Sequence, residues 1–325
     1  MTASNTEPRT PKYDLSTIGE GQIRFTVERG ERLMFTRSVH MNPACSEANV
    51  AGLLSQLGRE TLWTSSLPEG DLGDYILSEY RSVGVHMDTM VRRPGGRTAL
   101  YFMEPGEYPM PANVIYDREW TTFRATGIED YDWDEILDTK VIFLTGITAA
   151  LTDTTAEVVR YAADEAVRRG VDVILDVNFR RKLWSGEKAR EVLEPIAKEA
   201  TVLFCSIADA EKVFGITGTP EEVTAELQNR FGCKYVVSTN HTEGPYLRGR
   251  EGFYPYRTTP VNVVDRPGAG DSFVSATIHG YLSGNIREGV KWGQYASKVA
   301  LTHKGDLTRV RPGELDIPLG TDIDR

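Results

Sequence analysis

The stretch VVDRPGAGDSFVSATIHGYL (residues 263–282) joins a glycine-rich turn to an apolar segment with helical spacing. Gly268 and Gly270 lack a Cβ atom, so the backbone there can turn sharply and approach a ligand closely. The first N–H groups of the predicted helix have no intrahelical partner and carry the positive end of the helix dipole. Such a turn can bind a phosphate group, although the glycine pattern alone more often marks a packed turn.

Asp271 follows this turn directly. A carboxylate at that place repels a bound phosphate, so its presence needs a separate chemical reason. Phosphoryl transfer to an alcohol requires an acceptor for the hydroxyl proton beside a donor-lined anion site. We therefore predict that Asp271 is the general base of a phosphotransferase. The N–H groups of Ala269, Gly270 and Asp271 are predicted to stabilise negative charge in the transition state.

Composition argues against several other classes of protein. The chain has 325 residues and a formal net charge of -10, and it has no Lys/Arg cluster of the kind that nucleic-acid binding requires. No run of about 18 apolar residues is present that could span a membrane. Residues 1–12 are polar, and we expect an N-terminal tail rather than a signal peptide. Cys45, Cys205 and Cys233 form no C-x-x-C pair, which favours a reducing, cytoplasmic compartment.

Predicted strands and helices alternate along the second half of the chain. The strands are 140–145, 171–177, 201–205 and 234–238, and the helices are 152–169 and 185–199. This alternation predicts βαβ units and a mainly parallel sheet flanked by helices. We expect residues 13–19 to open the same sheet. Residues 46–57 are predicted to form a helix with Ser46 as its cap and Gly58 as its end.

Two segments interrupt the alternation. Residues 22–42 and 97–118 carry short strand-like runs separated by turns, which predict an antiparallel lid over one edge of the sheet. We therefore predict one α/β domain over residues 13–310 with a small β-strand lid. In such sheets, ligands bind beyond the carboxyl ends of the strands. Polar side chains just after predicted strands are candidate ligands, namely Glu20, Asp176, Asn178, Arg180, Ser206 and Asp209.

The glycine turn carries the motif D-x-x-G-A-G-D, at Asp265, Gly268, Ala269, Gly270 and Asp271. With this motif, the lid segments and an early helix containing Asn49-Val50-Ala51, the chain resembles the PfkB family of ribokinase-like carbohydrate kinases. The resemblance implies a ribokinase-like α/β fold, ATP as phosphoryl donor and Mg²⁺ bridging the β- and γ-phosphates. Because lids of this family often pair, it also implies a homodimer or a higher homo-oligomer.

Within that family, the chain is most similar to 2-keto-3-deoxygluconate kinases. The segment DVNFRRKLW (residues 176–184) is similar to their D-x-N-x-R-x-x-L-W pattern. The resemblance implies that Arg180 and Arg118 bind the carboxylate of the sugar acid, whose planar shape suits a guanidinium fork. The other residues that the resemblance implies at the sugar are Glu20, Cys45, Asn49, Tyr101, Tyr116, Asn178 and Asp306.

The nucleotide side departs from the family pattern. Thr239, Asn240 and His241 stand where the family often has Lys-x-Gly, and Gln294 stands where an asparagine is common. The resemblance still implies that Asp209 holds Mg²⁺ through a water molecule. It implies a nucleotide site made of Ser206, Thr239, His241, Gly244, Gly268, Gly270 and Gln294.

Two departures leave other functions open. Cys45 adds a side chain where the family has a glycine near the sugar, so a neutral ketose or pentose such as fructose or ribose is an alternative acceptor. The altered nucleotide segment also allows a degenerate homologue that binds sugar or nucleotide without catalysis. Arg118 and Arg180 favour an acidic sugar, and the presence of Asp271 beside an intact glycine turn favours a catalyst.

Overall fold

The computed structural model describes residues 10–240, 243–311 and 313–316. His241 and most of the predicted N-terminal tail lie outside the described residues, so the place of His241 in a nucleotide site stays a prediction. Within the described part of the chain, no helix is both long and apolar enough to cross a membrane.

Strands and helices alternate along most of this chain. The strands are β1 Tyr13–Ile18, β2 Gln22–Thr26, β3 His40–Ala44, β4 Thr61–Thr64, β5 Ser66–Pro68, β6 Val91–Arg93, β7 Ala99–Glu104, β8 Asn113–Asp117, β9 Thr139–Thr145, β10 Asp172–Asp176, β11 Ala200–Phe204, β12 Tyr235–Asn240, β13 Gly244–Gly249 and β14 Gly252–Pro255. The helices are α1 Ser46–Gln56, α2 Asp71–Arg81, α3 Trp133–Ile136, α4 Gly146–Ala149, α5 Asp153–Arg169, α6 Gly186–Ala197, α7 Ile207–Asp209, α8 Pro220–Phe231, α9 Ala269–Leu282 and α10 Ile286–Leu301. Short 3-10 turns lie at Phe123–Ala125, Ile128–Asp130 and Glu314–Asp316, and a π-helical turn at Ala210–Phe214 continues α7.

Eight strands form the main sheet, in the order β14-β13-β12-β11-β10-β9-β1-β4. The strands from β12 to β4 run parallel to their neighbours, whereas β13 and β14 add an antiparallel edge. Parallel strands need crossover connections, and here helices supply them and cover both faces. The prediction of a mainly parallel sheet flanked by helices is confirmed.

The core lies on both sides of this sheet. In β9, Ile142 and Leu144 belong to the cluster under α5 and α6, and Val141 and Phe143 belong to the cluster under α1 and α9. This alternation is the two-residue period of a strand that is buried on both faces. The second cluster brings α1 and α9 side by side, which sets the start of α9 next to the start of α1.

The predicted cap of α1 is wrong by one residue. Cys45 has an extended backbone and its Sγ accepts the N–H of Ala48 at 3.4 Å, so Cys45 is the cap and Ser46 is the first helical residue. The hydroxyl of Ser46 is therefore free to point toward the start of α9. Gly58 follows the helix with a φ of +81°, in agreement with the predicted helix end.

The lid is a four-stranded sheet in the order β3-β2-β7-β8. The pairs β2/β3 and β7/β8 are antiparallel, but the central pair β2/β7 is parallel, so the lid is mixed rather than antiparallel throughout. The first segment forms the antiparallel pair β2/β3 and the second forms β7/β8, and the two pairs join along β2 and β7. The register aligns Arg24, Tyr101 and Tyr116 on one face, and this face covers the cavity described below.

Candidate active site

A cavity of about 1120 Å³ lies between the lid and the carboxyl ends of the parallel strands. Residues that follow β10, β11 and β12 line its floor, as expected for a sheet of this topology. Its volume exceeds the roughly 300–1,000 Å³ of a pocket for one small ligand.

Asp271 is held at the floor of this cavity by two side chains of α1. Its Oδ1 accepts a hydrogen bond from the Ser46 hydroxyl, and its Oδ2 accepts one from Nδ2 of Asn49, both at 2.7 Å. Burial raises the pKa of Asp271 above its usual value, whereas the hydrogen bonds from Asn49 and Ser46 and the charge of Arg180 lower it. A fixed carboxylate with a raised pKa is suited to accept a proton from a hydroxyl group.

The two glycines of the motif have different roles. Gly268 has a φ of +83°, and a Cβ there would come within 2.1 Å of the carbonyl oxygen of Asp306. Only glycine fits this approach of two backbone segments. At Gly270 a Cβ would meet no atom within 4 Å, so this position opens onto the cavity.

The start of α9 offers backbone donors to an anion. The first helical hydrogen bond starts at the N–H of Ser272, which leaves the N–H groups of Gly270 and Asp271 ahead of it. The N–H of Ala269 instead donates across the turn to the carbonyl oxygen of Arg266, at 3.4 Å. The predicted anion site therefore rests on Gly270 and Asp271 rather than on all three N–H groups.

Asp265, the first residue of the motif, is buried against Arg24 of the lid. Nη2 of Arg24 lies 2.5 Å from Oδ2 of Asp265, and Nε of Arg24 lies 3.0 Å from Oδ1 of Asp306. The hydroxyl of Tyr101 donates to the other oxygen of Asp306 at 2.7 Å. Burial raises the pKa of Asp306 to about 6, although Arg24 and Tyr101 lower it. One buried guanidinium thus joins the lid, the glycine turn and the segment that carries Asp306.

Three carboxylates of the cavity lie in the field of Arg180. Burial raises the pKa of Asp176 to about 7, and the charges of Asp209 and Asp271 add to this, whereas Arg180 lowers it. Arg180 is exposed to the cavity and forms no ion pair within the described residues. Its guanidinium is therefore available to the anionic group of a ligand.

Asp209 is the candidate partner of Mg²⁺. Burial raises the pKa of this carboxyl, and a hydrogen bond with Ser206 lowers it. In the described parts of the chain, no three His, Cys, Asp or Glu side chains are grouped closely enough to hold a metal ion by themselves. Magnesium usually keeps several waters and is bound through one or two carboxylates together with phosphate oxygens, and a single lining aspartate fits that pattern.

Glu20 and Arg118 bind each other. Nε and Nη2 of Arg118 donate to Oε2 of Glu20 at 2.8 and 2.6 Å, and the hydroxyl of Thr121 donates to the other carboxylate oxygen. Both side chains are buried, and Glu20 is not among the residues that line the cavity. This corrects the expectation that Glu20 faces sugar hydroxyls, because its carboxylate instead fixes Arg118. Arg118 does line the cavity, with two of its nitrogens already engaged.

The other residues predicted at the sugar all line the cavity. Cys45 lines it, and burial raises the pKa of its thiol well above the usual value. Tyr116 is exposed on the lid, with its ring 5.9 Å from the guanidinium of Arg118. Nδ2 of Asn178 donates to the Ser46 hydroxyl at 3.2 Å, so it supports the side chain that holds Asp271.

The described residues that were predicted at the nucleotide line the same cavity. Thr239, Gly244 and Gln294 line it, together with the segment 258–263. Nε2 of Gln294 donates to the carbonyl oxygen of Arg257 at 2.9 Å, which fixes the amide against this segment. Ser206 caps α7 through the N–H of Asp209, at 3.0 Å, as well as lining the cavity.

Several cavity residues were not predicted from the sequence. Gln22 of β2 is buried at the lid face, and its Oε1 has no hydrogen-bond partner among the described residues. Lys298 of α10 donates to the hydroxyl of Thr259 at 2.7 Å. Arg24 of the lid was not predicted either; it does not line the cavity but is buried against Asp265 and Asp306.

A mainly parallel α/β sheet, a lid of strands and an aspartate at a glycine-rich helix start define a ribokinase-like carbohydrate phosphotransferase. The model of the pfkB family carbohydrate kinases matches residues 14–311. The chain therefore belongs to the pfkB family of carbohydrate kinases, which confirms the resemblance drawn from its motifs.

Known relatives cover nearly the whole chain. The 2-dehydro-3-deoxygalactonokinase of Haloferax volcanii is 31% identical over 305 residues, which are 93% of this chain and 95% of that protein. The 2-dehydro-3-deoxygluconokinase of Thermoproteus tenax is 27% identical and covers 92% of each chain. The crystal structure of the 2-dehydro-3-deoxygluconokinase of Thermotoga maritima superposes with a TM-score of 0.89 at 29% identity, over 94% of this chain and 98% of that one.

Proposed function

We propose that this protein transfers the γ-phosphoryl group of ATP to a hydroxyl of 2-keto-3-deoxygluconate, also named 2-dehydro-3-deoxygluconate, or of its galactonate epimer. The observation that carries the proposal is Asp271, which has both oxygens fixed beside backbone donors at the start of α9. The same cavity contains Arg180, which forms no ion pair with a described residue. The names of the similar proteins support the same class of keto-sugar acid.

Asp271 accepts the proton of the attacking hydroxyl. The hydrogen bonds from Ser46 and Asn49 keep its carboxylate oriented, so no reorganisation is needed when the proton moves. The N–H groups of Gly270 and Asp271 bind the phosphoryl oxygens as negative charge develops on them. Asp209 would hold Mg²⁺ through a water molecule, and the ion would neutralise part of the charge of the phosphates.

The acceptor lies under the lid. Arg180, with Arg118 behind it, binds the carboxylate of the sugar acid, because guanidinium groups form charge-assisted bonds with planar anions. Asp306 accepts from a sugar hydroxyl, and its position is fixed by Tyr101 and Arg24. A neutral ketose offers no partner to Arg180, and this favours an acid over fructose or ribose as the substrate.

The nucleotide lies at the opposite end. Thr239, Gly244 and Gln294, with the segment 258–263, form the walls that enclose the base and ribose. Ser206 lines the same cavity. The cavity of about 1120 Å³ is larger than a typical pocket for one small ligand, and this supports the binding of both substrates in it.

A coupled ADP-release assay tests the function. The panel contains Mg-ATP with both 2-dehydro-3-deoxy epimers, fructose, ribose and gluconate, and the Asp271→Asn variant is the control. We expect turnover with the keto-sugar acids and a loss of about 10²- to 10⁴-fold in the variant. Faster turnover of the neutral sugars would support the alternative acceptor, and no ADP release with any sugar would support a non-catalytic binding protein.

We also propose that the protein is a homo-oligomer that pairs through its lid. The lid face opposite the cavity carries one apolar row across all four strands, formed by Met41, Phe25, Phe102 and Ile115. Met41 and Ile115 are 42% and 48% exposed at its ends. A second lid from another copy would cover this face, which water otherwise contacts.

We propose the cytoplasm as the site of action. Cys45, Cys205 and Cys233 are buried free thiols, which suit a reducing compartment. ATP as the phosphoryl donor agrees with the same location.

A further inference from the structure

Tyr80 connects the protein core to the carboxylate of Asp271. The side chain of Tyr80 extends from α2, is fully buried and donates its hydroxyl hydrogen to Oδ1 of Asn49 at 2.8 Å. Asn49 then donates from Nδ2 to Oδ2 of Asp271 at 2.7 Å. The three side chains form a continuous relay in which Asn49 and Asp271 line the cavity and Tyr80 does not.

The chemistry of an amide explains what this relay does. Asn49 has an acceptor at one end and a donor at the other, and Asp271 as a carboxylate can only accept. A reversed amide would point its oxygen at the carboxylate and leave its NH₂ group facing the hydroxyl of Tyr80. Burial raises the pKa of Tyr80 well above its usual value, so the phenol keeps its proton and remains a donor. The carboxylate of Asp271 therefore requires the orientation in which Asn49 donates to it, and Tyr80 stabilises that orientation by donating to Oδ1 of Asn49.

We propose that Tyr80 is a positioning residue for the base, acting through Asn49 to hold Asp271 in the geometry that accepts the hydroxyl proton. This inference rests on the proposed role of Asp271 as base. It gives a functional reason for a buried tyrosine that otherwise packs against Trp63, with ring centroids 4.9 Å apart.

Other groups around Asp271 also influence its protonation. The Ser46 hydroxyl donates from the start of α1, and Arg180 approaches from the segment after β10. The ionisable side chains whose own pKa values respond to Asp271 are Asp176, Cys45, Tyr80 and Asp306. A Tyr80→Phe variant keeps all of these side chains except Tyr80. A comparison of its pH profile with that of the parent protein therefore reports on the hydrogen bonds that run from Tyr80 through Asn49 to Asp271.

The test is the pH profile of kcat/KM for Tyr80→Phe with 2-dehydro-3-deoxygluconate and Mg-ATP. A hydrogen bond to the charged form of a carboxyl lowers its pKa, so weakening the Asn49 bond raises it. We expect the acid limb to move to higher pH by about 0.5 to 1 unit, which is the worth of one typical hydrogen bond. We also expect kcat to fall roughly 3- to 30-fold, as the base is held less well. The phenyl ring keeps the packing against Trp63.

A double-mutant cycle separates positioning from structure. Asn49→Ala removes the donor and keeps Tyr80, and it should shift the acid limb in the same direction. Adding Tyr80→Phe in that background should produce no further shift, because the relay is already broken. A further additive shift, or an unshifted limb in Asn49→Ala, would overturn the inference even where Tyr80→Phe is too unstable to assay.

Tyr13→Phe is the matched control. Tyr13 is also buried, and its hydroxyl donates to Oε1 of Glu135 at 2.7 Å, at the amino end of β1 and away from the cavity. Tyr13→Phe should change the melting temperature but should not shift the acid limb of the kcat/KM profile. If Asp271 is not the base, Asp271→Asn would retain activity. That result would separate failure of the proposed function from failure of the inference about Tyr80. Failure of this inference alone leaves Asp271→Asn inactive and the limb of Tyr80→Phe unshifted.

Discussion

Arg24 and Asp265 form a buried ion pair, with Nη2 of Arg24 2.5 Å from Oδ2 of Asp265, and this pair joins the lid to the glycine turn. The same guanidinium lies 3.0 Å from Asp306 through its Nε. Arg24, which the sequence pattern did not mark as a site residue, therefore holds the lid close to the segments that carry Asp265 and Asp306.

Arg24→Met should destabilise the protein strongly. The substitution leaves Asp265 and Asp306 buried without their cation, and removing one partner of a buried pair costs about 3–5 kcal/mol. Urea unfolding should show a correspondingly lower midpoint, with a raised KM for the sugar acid. Arg97→Met, which breaks the exposed pair with Asp117, is the control and should cost about 0.2–1 kcal/mol. Equal losses in the two variants would contradict the structural role of Arg24.

Gly268→Ala and Gly270→Ala should separate folding from phosphate binding. A Cβ on Gly268 would meet the carbonyl oxygen of Asp306 at 2.1 Å, so this variant should lose stability and activity together. A Cβ on Gly270 meets no protein atom within 4 Å but projects into the cavity, so this variant should keep its melting temperature. Its KM for ATP should rise, or its kcat fall, because a methyl group lies where the phosphate approaches. Normal kinetics in Gly270→Ala would show that the phosphate does not bind at the start of α9.

The sequence was sufficient for the parts of the fold that depend on local pattern. Apolar runs of strand length, alternating with helices that have caps such as Thr152, predicted the parallel sheet. Asp271 could be predicted because its chemistry is unusual at a phosphate-binding turn, and this argument needs only neighbouring residues. The cap of α1 was misplaced because Cys45, which is an uncommon cap, was passed over for Ser46.

Contacts between distant residues could not be predicted in this way. Ser46 and Asp271 are 225 residues apart in the chain, and Arg24 and Asp265 are 241 apart. Nothing in the local pattern around Glu20 indicates that Arg118 binds its carboxylate, so a resemblance assigned it to the sugar instead. Such pairs depend on how the lid closes over the sheet, and this is a property of the complete fold.

Asp176→Asn should stabilise the protein at alkaline pH. Burial, with the charges of Asp209 and Asp271, raises the pKa of Asp176 to about 7 in the folded protein. An unfolded chain titrates near the usual value of about 3.9, so between these values the folded state holds a proton that the unfolded state has lost. The free energy of unfolding therefore falls through this group as pH rises across that window.

Thermal unfolding at two pH values tests whether the free energy of unfolding falls with rising pH through Asp176. The gain in melting temperature from Asp176→Asn should be clearly larger at pH 8 than at pH 5, because at pH 5 the folded carboxyl is still protonated and the window has been crossed only in part. Glu157→Gln, on the exposed face of α5, should give no such difference between the two pH values. A gain that is larger at pH 5 would show that Asp176 is stabilised as the anion.

Ile115→Lys should disrupt the proposed lid-to-lid assembly. Ile115 is 48% exposed at the end of the apolar row, and a charge there would be buried without a partner in the contact. Light scattering coupled to gel filtration should show a smaller species than the parent. Val167→Lys is the control, because Val167 is 49% exposed on α5, far from the lid. An unchanged mass in Ile115→Lys would place the assembly surface elsewhere, and a monomeric parent would exclude it.

Arg180→Met should change the preference for an acidic substrate. Arg180 is exposed to the cavity and forms no ion pair with a described residue, so its charge is available to the carboxylate of the acceptor. A hydrogen bond to a charged group is worth about 1.5–3 kcal/mol, which corresponds to a rise in KM of roughly 10- to 100-fold. The KM for ATP should change much less, and turnover of a neutral ketose should not fall. Arg168→Met, on the surface of α5, is the control for loss of one positive charge. Equal effects of Arg180→Met on acidic and neutral sugars would assign Arg180 to the phosphates rather than to the acceptor.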